Sequence, residues 1–163
     1  WSGIIKILHN NFLAKSKTLE LKPNLTLKQV VVLASLIERE VKHDQDRRIV
    51  AGILLKRLKN DWPLEVDATL QYSVASVKCQ PPTRECQWWP KVSGQDKEIN
   101  SSYNTYKNLG LPPGAICNPG LQSIKAAVSP QNSPYWFYLS DSQGKMHYAK
   151  TNEEHNQNIL QYL

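Results

Sequence analysis

Two acids flank an arginine in the segment Ala34-Ser35-Leu36-Ile37-Glu38-Arg39-Glu40. On a helical wheel Val30, Ala34, Ile37 and Val41 share one face. Glu38 falls beside Val31, Ala34 and Val41, Glu40 beside Leu33, Leu36 and Ile37, and Arg39 points the opposite way, toward water. A carboxylic acid among apolar neighbours loses hydration of its charged form, so its pKa rises. That is the property a general acid needs near neutral pH. The same acids also fit the wet rim of an amphipathic helix, and spacing alone does not choose between them.

A second group of chemistry-bearing residues lies in turn-rich segments: Tyr103-Asn104-Thr105-Tyr106, and Leu111 to Gly120 with Pro112-Pro113-Gly114 and Asn118-Pro119-Gly120. Aromatic faces stack on sugar rings, while amides and hydroxyls match sugar hydroxyls and acetamido groups. A rigid surface loop with Asn118 as a helix cap is the competing reading. His155, in Glu153-Glu154-His155-Asn156, and His147 have no partner at metal-ligand spacing. With no glycine-rich phosphate loop and no nucleophile elbow either, neither a metal nor a cofactor is expected.

These residues must be positioned by surrounding elements. Trp1 to Pro23 reads as a helix ended by Pro23. Thr26 and Gln29 have capping-box spacing and open the helix that carries Glu38 and Glu40. A second helix runs from Arg47 to Lys59 and is stopped by Asp61-Trp62-Pro63. Leu64 to Tyr72 is a strand, or a short helix after Asp67. Cys79 to Ile99 is a loop rich in Pro, Trp and charge. Asn118 and Pro119 read as the N-cap and first turn of a helix over Leu121 to Val128. Tyr135–Ser140 and Lys145–Lys150 form a hairpin about Asp141-Ser142-Gln143-Gly144. Thr151 with Glu154 opens a last helix through Leu160. Helices first and a hairpin late indicate an α+β domain rather than a βαβ series.

The 163 residues suit one domain. Twenty Lys and Arg against fourteen Asp and Glu leave a net charge of +6 and favour an acidic partner. The basic residues are dispersed, without the dense block of a nucleic-acid footprint, and no nucleic-acid partner is expected. No apolar run approaches the length of a membrane span. Three cysteines make no disulfide framework, but Cys79 and Cys86 flank one loop and could bridge in an oxidising compartment.

Several of these segments, in this order, resemble the MltG (YceG-like) family of endolytic murein transglycosylases. The resemblance is carried by Ala34 to Glu40, Arg47 to Leu58, Leu64 to Tyr72 with Asp67 and Thr69, Tyr103 to Tyr106, Gly110 to Ile116, Asn118 to Gly120 and Thr151 to Asn156. It implies a helix-rich catalytic domain over residues 25–163, with long ordered loops lining a groove. Residues 1–24 are then the remnant of an upstream LysM-like portion or a linker helix. It implies a bacterial lyase on the outer, periplasmic or extracellular face of the cytoplasmic membrane, anchored by a single-pass segment absent here. The substrate would be peptidoglycan glycan strands, and wall-synthesis proteins would be partners. The Cys79 to Ile99 stretch departs from the family pattern.

The resemblance matches the family's catalytic glutamate to Glu38. Glu38 would protonate the departing oxygen of the MurNAc-β-1,4-GlcNAc bond, then deprotonate the substrate's own C6 hydroxyl, leaving a 1,6-anhydro end. That attack is intramolecular, which explains how one carboxylate suffices where hydrolysis needs two. Tyr103, Asn104, Thr105, Tyr106, Asn118 and Gln71 would hold the sugars, supported by Asp67, Glu153, His155 and Asn156. A hydrolytic muramidase and a non-catalytic wall-binding module are the competing functions.

Overall fold

The computed structural model describes residues 2–17, 19, 21, 25–80 and 85–163. Helix α1 (Ser2–Ser16) leaves Ile4, Ile5, Ile7 and Leu8 exposed and sets Phe12 against the core. The helix ends at Ser16, short of the expected Pro23, which itself lies outside the described residues. Helix α2 (Leu27–Glu40) starts as its capping box requires: the Thr26 side chain accepts from the Gln29 amide, and the Gln29 side chain accepts from the Thr26 amide. Its middle is buried on every side, from Val32 through Ile37, so it is the central helix of the core rather than an amphipathic rim.

Helix α3 (Asp44–Lys59) begins three residues before the expected Arg47. Asp44 and Asp46 fall in its first turn, where negative charge offsets the positive end of the helix dipole. Of the two readings of Leu64 to Tyr72, the helix is found, and it runs on as α4 (Asp67–Lys78). A 3-10 turn (Gly94–Glu98) follows, and the long loop after it leads into α5 (Leu121–Val128). Strand β1 (Phe137–Ser140) pairs antiparallel with β2 (Met146–Ala149), Phe137 opposite Ala149 and Ser140 opposite Met146. Helix α6 (Asn152–Tyr162) closes the chain, with the Thr151 side chain accepting from the Glu154 amide. The α+β expectation holds.

Packing converges on α2, which lies against α3, α4 and α5. Close approach is enforced at Gly52, where a Cβ would collide with the backbone carbonyl of Gln131. Arg57, on α3, is buried, yet its donors are satisfied: Nε by the Trp136 carbonyl, Nη1 by the Pro63 and Leu64 carbonyls and the Glu65 carboxylate. It ties α3 to the 62–66 segment and to the hairpin, a buried charge that is tolerable only because it is saturated. Cys79 and Cys86 form a disulfide at the root of the Trp-rich loop; 81–84 lie outside the described residues.

Candidate active site

The two acids of α2 leave the helix on different sides and meet different chemistry. Glu38 points toward α5. Its Oε2 accepts from Arg47 Nη1 at 2.9 Å, Ser123 Oγ at 2.6 Å and the Gly120 amide at 3.1 Å. Gly120 is the N-cap of α5, so the carboxylate also sits at a helix N-terminus. Partial burial pushes the Glu38 carboxyl up, but Ser123, Gly120 and Arg47 together outweigh it and hold it below the ordinary range. The expected dry niche with a raised pKa is therefore not at Glu38. Three donors converge there, and they stabilise the charged form.

Glu40, the last residue of α2, faces the other way into a groove of about 730 Å³. Its neighbours come from α4, β1 and α2 itself. The Ala68 amide of α4 lies 3.4 Å from Oε1, the Tyr138 hydroxyl of β1 hydrogen-bonds the carboxyl, and Asp67 and Arg39 act on it through charge. Burial first, and the Asp67 charge second, push Glu40 up to about 7, against the opposing pull of Ala68, Tyr138 and Arg39. The niche argued for on the helical wheel exists, and Glu40 occupies it. The wheel could not separate the acids because both border apolar residues of α2; what differs is what other elements bring to each.

Of the expected sugar-holding loop, only Tyr106 reaches the groove, where its hydroxyl donates to Asp67 Oδ1 at 2.7 Å. Burial, then Asp67, pushes the Tyr106 phenol up, so it stays a donor. Its neighbours in sequence build the wall instead of lining it. Asn104 is fully buried and donates to the Lys97 and Ile99 carbonyls at 2.9 and 3.0 Å. Thr105 is buried, its hydroxyl accepting from the Val66 amide at 3.0 Å and meeting Thr69 Oγ1 at 2.9 Å, which fixes the start of α4 and hence Asp67. Tyr103 packs on Tyr72, ring centroids 4.7 Å apart. None of the three lines the groove; each is bonded or packed within the protein, as a loop of this length must satisfy its own backbone.

Gln71 and Asp67 line the groove as expected, Gln71 also donating to the Pro90 carbonyl at 3.1 Å. His155 lines it too, stacked on Phe137, with a buried Nδ1 that has no hydrogen-bond partner among the described residues. Burial and then Arg57 lower its pKa, so it is neutral near pH 7. Asn118 is exposed and outside the groove, and the N-cap reading is corrected, since Gly120 holds that position. Glu153 and Asn156 lie on the solvent side of α6, away from the groove. Tyr138 and Lys97 were not singled out in the sequence; Arg39 is exposed, as its place on the helical wheel requires. Arg39 lies over the Trp89 ring, 3.7 Å from its centroid, at the groove edge. Among the described residues no cluster of His, Cys, Asp and Glu could hold a metal ion.

Fold and groove together define a helix-rich α+β domain with a carboxyl, Glu40, at the wall of an open groove. The YceG-like family matches residues 2–161, and the chain belongs to that family. It is 34% identical over 154 residues to a protein of Bacillus subtilis (strain 168) named endolytic murein transglycosylase, covering 94% of this chain and 40% of that protein. A protein of the same name from Streptococcus pneumoniae serotype 2 (strain D39) is 30% identical over 141 residues, covering 86% of this chain and 24% of the relative. A crystal structure of a YceG-like protein from Listeria monocytogenes superposes with a TM-score of 0.69 at 32% identity, covering 94% of this chain and 45% of that one. The chain thus spans less than half the length of the relatives it matches.

Proposed function

We propose that this chain is the catalytic portion of an endolytic murein transglycosylase, with Glu40 as its general acid and base. The observation that carries the assignment is the Glu40 carboxyl, raised to about 7 in an open groove, where it is poised to give and then retake a proton near neutral pH. The names of the relatives supply the substrate class, peptidoglycan. The groove volume is that of a site for a few sugar rings rather than for a single small ion.

In this reading Glu40 protonates the oxygen of the MurNAc-β-1,4-GlcNAc bond as it breaks. The resulting carboxylate, braced by the Ala68 amide and the Tyr138 hydroxyl, takes the proton from the muramyl C6 hydroxyl as that oxygen closes on C1. The products are a GlcNAc end and a 1,6-anhydro-muramyl end, and no water is consumed. The Asp67 charge keeps the proton on Glu40 in the resting enzyme and favours positive charge developing at C1. Glu38 braces α2 against the start of α5 and does no chemistry. Residues 25–163 form the working unit. The Cys79–Cys86 bridge suits an oxidising compartment outside the cytoplasm. Nascent strands as substrate, a membrane anchor outside this chain and wall-synthesis partners belong to the same proposal.

The test is mass spectrometry of peptidoglycan digests made by wild type, Glu40→Gln and Glu38→Gln. Anhydro ends from wild type and Glu38→Gln, with none from Glu40→Gln, are expected. Loss of cleavage with Glu38→Gln and its retention with Glu40→Gln would return the chemistry to Glu38. One observation favours a hydrolytic alternative: Asp67 is a second carboxylate in the same groove, as a water-activating mechanism needs. Reducing muramic ends, heavier by one water than anhydro ends, would establish it.

A further inference from the structure

Two cations at the groove are held in an unusual way. Arg39 lies over the Trp89 ring at 3.7 Å, and Lys97 over the Tyr106 ring at 4.5 Å. Both line the same groove as Glu40, and both are exposed. Every other cation named so far in the site region is consumed: Arg57 by Glu65 and three carbonyls, Arg47 by Glu38 and Asp44. Among the described residues, no carboxylate stands at ion-pair distance from Arg39 or Lys97. Asp67, the nearby fixed anion, is already taken by the Tyr106 hydroxyl.

An aromatic ring under a guanidinium restricts its rotamers and holds the plane in place while leaving its N–H edges free. Such an edge binds a carboxylate in two parallel hydrogen bonds, with little further ordering cost. The Trp-rich loop, which departs from the family pattern in sequence, supplies the platform. The disulfide ties its root to the end of α4, and the Gln71 amide grips it at Pro90. Trp88 packs near Tyr72, with ring centroids 6.1 Å apart. Lys97 sits in the 3-10 turn that ends this loop, its backbone carbonyl fixed by buried Asn104.

We propose that Arg39 and Lys97 form an anion-reading wall that binds the free carboxylates of the peptide stems on the glycan strand. The proposal rests on the peptidoglycan reading given above. A neutral sugar polymer would find two unpaired charges there and nothing to neutralise them. A stem-bearing strand carries a carboxylate beside every other ring, so the wall selects substituted strands over bare ones. The net charge of +6 draws the same polymer in at longer range but does not pick the register.

The experiment compares wild type, Arg39→Gln, Lys97→Gln and Arg39→Lys on three substrates. These are glycan strands with intact stems, the same strands with stem carboxylates converted to methylamides, and strands stripped of stems so that only lactyl carboxylates remain. On intact strands, KM is expected to rise about tenfold for Arg39→Gln and several-fold for Lys97→Gln, with Arg39→Lys between wild type and Arg39→Gln; because Arg39 also acts on Glu40 through charge, its part in binding is read from affinity in the Glu40→Gln background and not from kcat. On methylamidated strands wild type should be as weak as the variants. Affinity of the inactive Glu40→Gln protein for each substrate, with and without Arg39→Gln, provides a readout independent of cleavage. Equal affinity for intact and methylamidated strands overturns the wall. Discrimination retained on stripped strands assigns it to the lactyl carboxylate and overturns the stem assignment. Cleavage surviving in Glu40→Gln, with carboxylate discrimination intact, would sink the catalytic assignment and leave the wall standing.

Discussion

Replacing Glu40 with Gln separates what the groove does for chemistry from what it costs the fold. The Glu40 carboxyl is pushed from 4.5 to about 7 by burial and by Asp67. If it must be protonated to start the reaction, about nine-tenths of the enzyme is competent at pH 6 and about one-tenth at pH 8. Wild-type kcat/KM should therefore fall about tenfold between those values and level off below pH 6. An acid held below 4.5, as Glu38 is, would instead keep gaining about tenfold per unit as the pH fell through that range. The groups that face Glu40 and could distort the profile are Asp67 from α4, Tyr138 from β1, Tyr106 from the loop and Arg39 from α2 itself. The tyrosines are raised further from neutrality, so they keep their protons across this range.

The same displacement has a sign for stability. Between pH 4.5 and 7 the unfolded chain has released this proton while the folded chain still holds it. Stability is thus lost as pH rises across that window, by up to about 3 kcal/mol on a shift from 4.5 to about 7. Glu40→Gln removes the ionisation, so the variant should be inactive and more stable than wild type at pH 8, and nearly equal to it at pH 4. Urea titrations at the two pH values, alongside release of soluble muropeptides from sacculi, read both halves. A Glu40→Gln protein with no stability gain at pH 8, or a wild-type rate still climbing tenfold per unit below pH 6, would refute the reasoning.

Three further outcomes are expected. Glu38→Gln should retain most activity but lose about 1–2 kcal/mol in denaturant melts at pH 7, since it weakens a three-donor brace with a 31% exposed side chain; because the folded pKa is lowered, that loss should shrink as pH drops below 4.5. Thr105→Val, similar in shape, strands the buried Val66 amide and removes one of the two partners of the Thr69 hydroxyl, and should cost about 1–3 kcal/mol, lowering kcat through displacement of Asp67. Replacing Cys79 and Cys86 together by Ser should cost about 2 kcal/mol of stability and raise KM for stem-bearing strands, an effect that reductant reproduces in wild type and leaves unchanged in the double variant.

Much of the scaffold was legible in local spacing. Thr26 with Gln29 marked the start of α2, and the Asp141 to Gly144 turn between aromatic runs marked the hairpin, because caps and turns are decided by residues within four positions of each other. That α2 carries two candidate acids at the edges of its apolar arc also followed from its periodicity, which left open whether either is dry. Which one would be could not be read there. Glu38 and Glu40 have comparable neighbours along their own helix, and their fates are set by residues 80 or more positions away for one acid, Gly120 and Ser123, and by Asp67, Ala68 and Tyr138 for the other. The same holds for Asn104 and Thr105, whose polar side chains look fit for a sugar in sequence and are spent on backbone amides and carbonyls once the loop closes. A side chain's residue type states what it can bond to; only packing decides whether water, backbone or ligand is there to receive it, and with that whether a carboxyl keeps its proton.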